Sequence, residues 1–159
     1  IAERFECVRL YFMEGLEEAP AVAQEKGLKL ILSAWIGGDP ALNEREYHLL
    51  IDAVRRYKSI VKFVLIGNET LLRHEQTETQ MMVWVSRAKQ DLPDIPVSYG
   101  EVLGFWKHYE RLAEVVDFLT IHILPYWSDV PPGVDDAAKY VEWDYNQMAL
   151  QYFGKDLEN

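Results

Sequence analysis

Short apolar runs alternate with helical periodicity along the whole chain. Apolar runs of strand length, bounded by turn-forming residues, occupy positions 5–12, 28–34, 62–69, 95–99 and 117–124. Apolar residues recur every three to four positions within 16–26, 43–57, 77–88, 105–116 and 135–153, which predicts five helices. The chain is therefore predicted to repeat a strand–helix unit five times, in a single domain over residues 1–159.

Strands that alternate with helices predict a parallel sheet with right-handed crossovers. Two architectures fit this order, an open doubly wound sheet and a (β/α) barrel. No glycine-rich phosphate loop follows a strand, so the usual nucleotide cradle is missing. Polar and aromatic residues follow several strands instead, which is typical of a barrel. A full barrel has eight strands and about 250 residues, so we predict a partial barrel of five parallel strands.

Five strands leave two sheet edges that eight strands would bring together. We expect unpaired backbone groups near Val8 and Ile121, and an apolar inner face, including Val64, Ile66 and Ile31, that is open to water. Exposed edges and apolar faces are association sites, so we predict that a homodimer closes the barrel. The alternative is a monomer whose edge is covered by the last helix, 135–153.

Two carboxylates follow neighbouring strands. Glu69 comes after the run Phe63-Val64-Leu65-Ile66-Gly67-Asn68, and Glu101 comes after the next strand. Glycoside hydrolysis requires two carboxyl groups, one to protonate the leaving oxygen and one as nucleophile or base. We therefore treat both as candidate catalytic residues. Each could also be a solvated loop residue.

The other candidate site residues are polar and aromatic side chains near strand ends. Asn68 could bind a sugar hydroxyl, and His122 could be a core histidine, a metal ligand or a sugar partner. Metal is the least favoured of these, since no second histidine lies at ligand spacing. Aromatic rings can stack on sugar rings, and the chain has five Trp and nine Tyr. The predicted substrate-binding set is Arg9, Tyr11, Trp35, Asn68, Tyr99, Trp106, His122, Tyr126 and Trp127.

Charge and composition exclude some partners. The net charge of the 159-residue chain is −10, which opposes binding to nucleic acid. No apolar run approaches the ~20 residues that span a bilayer, and no signal-peptide pattern opens the chain, so we expect a soluble protein of undetermined localisation. The single cysteine, Cys7, cannot form an internal disulfide or a thiolate cluster. We expect no cofactor and no metal.

Five segments of the chain resemble a known family. They are 8–11, 28–36, 66–73, 96–102 and 116–127, and they include Ile66-Gly67-Asn68-Glu69 and Ser98-Tyr99-Gly100-Glu101. In order and spacing they resemble the bacterial branch of glycoside hydrolase family 17, which contains β-1,3-glucanases and related glucanosyltransferases with (β/α)8 barrels. The resemblance implies that Glu69 is the general acid/base and that the five strands correspond to family strands two to six.

The resemblance also implies a missing group. The family nucleophile is a glutamate on strand seven, in a Glu-x-Gly-Trp-Pro-Ser context, and residues 153–159 lie where that strand would begin. We therefore expect strands one, seven and eight and the nucleophile to be absent. Glu158 lacks the motif and is not assigned the role, which leaves Glu101 or another subunit to supply the second carboxylate.

These observations together favour a glycosidase or transglycosylase acting on a β-linked glucan or oligosaccharide. The alternative is a carbohydrate-binding or catalytically inactive half-barrel that keeps the stacking aromatics. A third possibility, an open flavodoxin-like domain, is disfavoured by the missing phosphate loop.

Overall fold

The strands of the described residues form one parallel sheet. The computed structural model describes residues 2–152 and 157–158. The strands are β1 (Cys7–Leu10), β2 (Lys29–Ala34), β3 (Val61–Asn68), β4 (Val97–Val102), β5 (Leu119–His122) and β6 (Leu157–Glu158). Their order in the sheet follows their order in the chain, and every neighbouring pair is parallel. The five predicted strands are confirmed. The expectation that no strand follows the fifth is wrong, because β6 pairs with β5.

Helices connect the strands at the predicted places. They are α1 (Ala19–Glu25), α2 (Pro40–Tyr57), α3 (Glu78–Asp91), α4 (Leu103–Trp106), α5 (Glu110–Val115) and α6 (Ala137–Gln151), with 3-10 turns at Pro125–Trp127 and Val134–Asp136. The helix predicted over 105–116 is thus two short helices, and Tyr109 between them has non-helical backbone angles. No helix in the described ranges is long and apolar enough to cross a membrane.

The start of α2 differs from the prediction for a physical reason. Asp39 caps the helix by accepting hydrogen bonds from the amides of Ala41 and Leu42, and Pro40 occupies the first turn. Asn43, the predicted first residue, and Glu46 lie inside the helix and are buried. Thr77, at the predicted start of the third helix, caps α3 in a capping box with Gln80 as its reciprocal partner.

The hydrophobic core lies between the sheet and the helices. Val64 and Ile66 are fully buried there, in one cluster with apolar residues of α2 and α3. The expectation that they form an apolar inner face open to water is therefore wrong; Ile31 is half-buried.

Small polar side chains alternate with the core residues along the strands. The Ser98 hydroxyl donates to the Phe118 carbonyl at 2.6 Å and accepts from the Thr120 hydroxyl at 3.1 Å.

The sheet edges are only partly free. β5 is covered by β6 at Leu119 and Thr120, which corrects the expected open edge beside Ile121. Among the described strands, β1 pairs with β2 alone, so its outer edge is available for pairing. The homodimer stays a prediction.

Candidate active site

A bulge at the end of β3 presents the candidate acid to solvent. The pairing register between β3 and β4 shifts between Leu65 and Asn68. Gly67 lies in this shift with φ +88°, and a Cβ at this position would come within 2.8 Å of Met81 Cε and Thr70 Oγ1. Only glycine fits such a position. The bulge therefore redirects the two residues that follow Gly67.

Glu69 adopts a backbone conformation that is uncommon for a non-glycine residue. Its φ is +53°, in the left-handed region. Its amide donates to the Gly100 carbonyl at 2.7 Å, which ties it to the end of β4. Backbone strain of this kind persists only where surrounding contacts impose it, and it concentrates at functional sites. The Glu69 side chain is 25% exposed and lies beside the sheet edge where β3 and β4 end.

Arg73 fixes the loop that carries Glu69. Its guanidinium donates to the main-chain carbonyls of Asn68 and Ile36, and it forms an ion pair with Glu75 at 2.6 Å. It also lies 4.3 Å from the centre of the Trp35 ring, a cation–π distance. Sequence reasoning did not assign Arg73 to the site. A cation four residues after the candidate acid, in the same motif, was the available signal.

Side chains from three strands meet above Gly100. Arg9 Nη2 donates to Asn68 Oδ1 at 2.7 Å, and His122 Nδ1 lies 2.6 Å from Glu69 Oε1. A Cβ on Gly100 would lie 3.2–3.4 Å from His122, Arg9 and Asn68. The structure thus brings together four of the predicted site residues, and the missing side chain at Gly100 permits the arrangement.

Several polar atoms of this group are left without partners. Arg9 Nε and His122 Nε2 are buried and form no hydrogen bond within the described residues, and Ser33 Oγ on β2 is in the same condition. Burial lowers the pKa of the Arg9 guanidinium, while Tyr11 and Glu69 oppose that change. Buried polar groups without partners are costly, so such groups are suited to binding the hydroxyls of a ligand.

Glu101 occupies a different environment from Glu69. It is 1% exposed, and its Oε2 accepts hydrogen bonds from the Tyr99 hydroxyl at 2.5 Å and the Leu72 amide at 3.2 Å. Its Oε1 accepts from the Val102 amide at 2.8 Å. Burial raises the pKa of Glu101, and its hydrogen bonds oppose the shift. These contacts favour a role in holding the 69–72 loop. A catalytic role for Glu101 stays a prediction.

Two of the predicted aromatic residues lie in the core. Tyr99 is fully buried, and its hydroxyl also accepts from the Leu71 amide at 2.9 Å. Trp106 is buried against β5, where its indole N–H donates to the Thr120 carbonyl at 3.0 Å. Neither ring can stack on a ligand in this arrangement, because each is enclosed by the sheet and its helices.

The four remaining predicted aromatics are exposed, and two of them line clefts. A cleft of about 590 Å³ contains Glu69, His122 and Trp127, and Trp127 is 77% exposed beside Tyr126. A second cleft of about 420 Å³ has Trp35 in its wall. The guanidinium of Arg9 lies 4.0 Å from the ring centre of the exposed Tyr11. In the described part of the chain, no group of three or more His, Cys, Asp or Glu could hold a metal ion.

The family model of the BtgE/BtgC glycoside hydrolase domain matches residues 1–157. The chain belongs to the BtgE/BtgC glycoside hydrolase family. No curated protein sequence matches the BtgE/BtgC domain described here. The resemblance to glycoside hydrolases found in the sequence is thereby confirmed.

Three of the solved structures similar to this chain are named as enzymes that act on glycosides. An active-site mutant of the Rhizomucor miehei β-1,3-glucanosyltransferase in complex with laminaritriose matches with a TM-score of 0.84 and 24% identity, over 96% of this chain and 57% of the enzyme. An endo-laminarinase from Formosa Hel1_33_131 matches with a TM-score of 0.74 and 15% identity, over 98% and 56%. A Bacteroides uniformis β-glucuronidase matches with a TM-score of 0.69 and 11% identity, over 96% and 20%.

At sequence identities below 25%, the similarity to these structures shows a shared fold alone. The BtgE/BtgC domain spans about 57% of the glucanosyltransferase chain. The predicted partial (β/α) barrel is confirmed: its five parallel strands match part of the barrel of these enzymes.

Proposed function

We propose that the BtgE/BtgC domain catalyses hydrolysis or transfer of a β-linked glucan, with Glu69 as the general acid/base. One observation carries the proposal: the Glu69 carboxylate lies in a cleft and forms a hydrogen bond with His122, on a strained backbone that follows a bulge in β3. The family assignment supports glycosidase chemistry. The enzymes with the same fold include a β-1,3-glucanosyltransferase and a laminarinase, which supports β-glucan as the substrate class.

The geometry gives Glu69 one oxygen for positioning and one for chemistry. Oε1 forms a hydrogen bond with His122 Nδ1, whereas Oε2 has no hydrogen-bond partner among residues 2–152. As an acid, Glu69 donates its proton to the glycosidic oxygen as the bond from that oxygen to the anomeric carbon breaks. As a base, it removes a proton from the water or sugar hydroxyl that forms the new bond to the anomeric carbon, and this proton restores the acid; the chain assigns no second carboxylate to the opposite face of the sugar.

Asn68 is oriented to donate a hydrogen bond. Its Oδ1 accepts from Arg9 Nη2 at 2.7 Å, so the amide nitrogen points to the other side. Within the described residues that nitrogen has no partner. We infer that it binds the sugar 2-hydroxyl, a contact that strengthens in the transition state of glycoside hydrolysis.

Glu101 acts through the loop in this proposal. Its carboxylate accepts hydrogen bonds from the Leu72 amide and the Tyr99 hydroxyl, and this hydroxyl in turn accepts one from the Leu71 amide. Glu101 therefore fixes the segment directly after Glu69. All its accepted hydrogen bonds come from protein groups that hold this loop and β4, which supports a positioning role.

The second candidate function is carbohydrate binding without turnover. The exposed pair Tyr126 and Trp127, with ring centres 5.1 Å apart, favours it, because such rings offer a sugar-stacking surface independent of Glu69.

Glu69→Gln separates the two functions. Gln has nearly the same size and can keep the contact with His122, so the fold and sugar binding should survive. Hydrolysis of an aryl β-glucoside should fall by 10²-fold or more when a general acid/base is lost. Glu142→Gln, an exposed residue of α6, is the matched control. Equal turnover by wild type and Glu69→Gln would refute the role of Glu69. Binding of laminaritriose without turnover by any variant would establish the binding module.

We also propose that the BtgE/BtgC domain is a homodimer. The free outer edge of β1, with half-buried Val8 and Leu10, supports pairing with a second copy. Sedimentation at micromolar concentration tests this, and a single species near the chain mass of 18.5 kDa would refute it.

A further inference from the structure

Arg73 lies between the two clefts and lines neither of them. The cleft of about 590 Å³ contains Glu69, and the cleft of about 420 Å³ contains Trp35 and Glu75. The Arg73 side chain forms an ion pair with Glu75 at 2.6 Å. Its guanidinium carbon lies over the Trp35 ring, 4.3 Å from the ring centre. Arg73 therefore contacts two residues of the second cleft while its other contacts reach the loop that carries Glu69.

Two hydrogen bonds fix the peptide group that joins Asn68 to Glu69. Arg73 Nη1 donates to the Asn68 carbonyl, and the Glu69 amide donates to the Gly100 carbonyl at 2.7 Å. This carbonyl and this amide belong to one planar peptide group, so the two contacts hold it from opposite sides. Its orientation sets the φ of +53° at Glu69, which is unfavourable for a non-glycine residue. Arg73 thus holds the backbone that directs the Glu69 carboxylate.

The same guanidinium is connected to the end of β2. Arg73 Nη2 donates to the Ile36 carbonyl at 3.3 Å, and the Thr70 hydroxyl donates to this carbonyl at 2.9 Å. Ile36 follows Trp35 in the chain, so Arg73 contacts both the ring and the main chain of this segment. A displaced Trp35 ring would therefore displace the group that fixes the Glu69 backbone.

The donors of Arg73 are used within the protein. Nε donates to Glu75 at 2.8 Å, and Nη1 and Nη2 donate to the carbonyls of Asn68 and Ile36. All three guanidinium nitrogens thus have protein acceptors, which favours a positioning role over contact with a ligand.

We propose that Arg73 is a positioning residue for the reaction at Glu69, and that Trp35 acts on that reaction through Arg73. The inference rests on the proposed function, because it takes Glu69 to be the acid/base. Lysine cannot replace Arg73 in this role. A single ammonium group cannot reach Glu75, two carbonyls and the Trp35 face at once.

The first test measures kcat, KM and Tm of the full chain with an aryl β-glucoside. Arg73→Lys should lower kcat by about tenfold or more, with KM changed less than about twofold, because the acid is displaced. Its Tm should stay closer to wild type than that of Arg73→Ala, since lysine can keep the ion pair with Glu75. Arg111→Ala, an exposed arginine of α5, is the matched control and should equal wild type. A kcat that recovers together with Tm in Arg73→Lys would show a purely structural role and overturn the inference.

A double-mutant cycle tests the link to Trp35. The single sugar of the aryl glucoside reacts in the Glu69 cleft, so an effect of Trp35 on kcat has to pass through the protein. Trp35→Leu keeps apolar bulk but removes the ring face, and we expect it to lower kcat. The double variant Trp35→Leu/Arg73→Ala should be no slower than Arg73→Ala alone. Independent, multiplying losses in kcat would overturn the role assigned to Trp35.

Amide hydrogen exchange at Glu69 gives a readout that needs no turnover. Arg73→Lys should speed this exchange by about tenfold or more, because the peptide group loses one of its two contacts. Faster exchange in this variant, with no turnover by wild type, would refute the proposed chemistry and support the positioning by Arg73. Wild-type turnover with unchanged exchange and kcat in Arg73→Lys would overturn the inference and leave the proposed chemistry standing.

Discussion

The two roles considered for Glu101 predict opposite results for Glu101→Gln. If Glu101 holds the loop, the substitution should destabilise the fold. One glutamine oxygen can replace Oε2 and accept from Tyr99 and Leu72, but the amide nitrogen then faces the Val102 amide, which donates to Oε1 at 2.8 Å in the wild type. Two donors meet in a site that is 1% exposed.

The size of the effect follows from these contacts. A buried amide left without its acceptor costs about 1–3 kcal/mol. Removing the charge returns part of this, because burial raises the pKa of Glu101 and so disfavours its ionised form. We expect a net loss of about 1–2 kcal/mol, which lowers Tm by roughly 2–8 °C in a chain of this size.

Thermal unfolding and turnover of an aryl β-glucoside are measured on the same preparations. Glu101→Gln should lower Tm and reduce turnover in part, as the 69–72 loop loosens. Glu69→Gln should abolish turnover at nearly unchanged Tm, and the exposed Glu142→Gln should change neither. A Glu101→Gln protein with wild-type Tm and no turnover would refute the positioning role and make Glu101 a catalytic carboxylate.

Three further predictions concern the same region. Gly100→Ala places a Cβ 3.2 Å from His122 Nε2, so turnover should fall at least about tenfold with little change in Tm; wild-type kinetics would contradict this. Arg73→Ala removes the ion pair with Glu75 and the contact with Trp35, so Tm should fall and Trp35 fluorescence should change. The pKa of Glu101 is raised above 4.5 in the folded state, so folding takes up protons and this contribution to stability falls as pH rises from that value through the folded pKa. Denaturation curves at several pH values should show this slope in wild type and lose it in Glu101→Gln.

The order of elements could be predicted from periodicity because strands and helices alternate without interruption. The same topology explains why Arg9, Asn68, Glu69 and His122 meet: they lie at or just after the carboxyl ends of parallel strands. The assignment of residues 1–159 to a single domain stays a prediction. Closure of the partial barrel by a second copy of the chain also stays a prediction.

The direction of side chains within a buried strand could not be predicted. Every residue from Val97 to Glu101 is buried, so burial does not distinguish the two faces of this strand. Gly100 lies beneath the site, and the residues on either side of it, Tyr99 and Glu101, therefore project away from that face. A catalytic glutamate and a structural one look the same in this run. The sequence pattern does not reveal which face of β4 meets the site.

Buried acids on helices show a similar limit. Asp144 lies three residues after Val141 and four before Met148, on the apolar stripe predicted for the last helix. Glu46 likewise lies four residues before Leu50, on the apolar stripe of α2. A carboxylate on an apolar stripe was therefore a signal available in the sequence for both residues. The role of such a carboxylate depends on whether backbone groups distant in the sequence contact it. The amides of Met13, Glu14 and Trp35 donate hydrogen bonds to Glu46. No described residue donates a hydrogen bond to Asp144, which lines the cleft beside Glu69, so the same pattern gives a structural anchor in α2 and a cleft residue in α6.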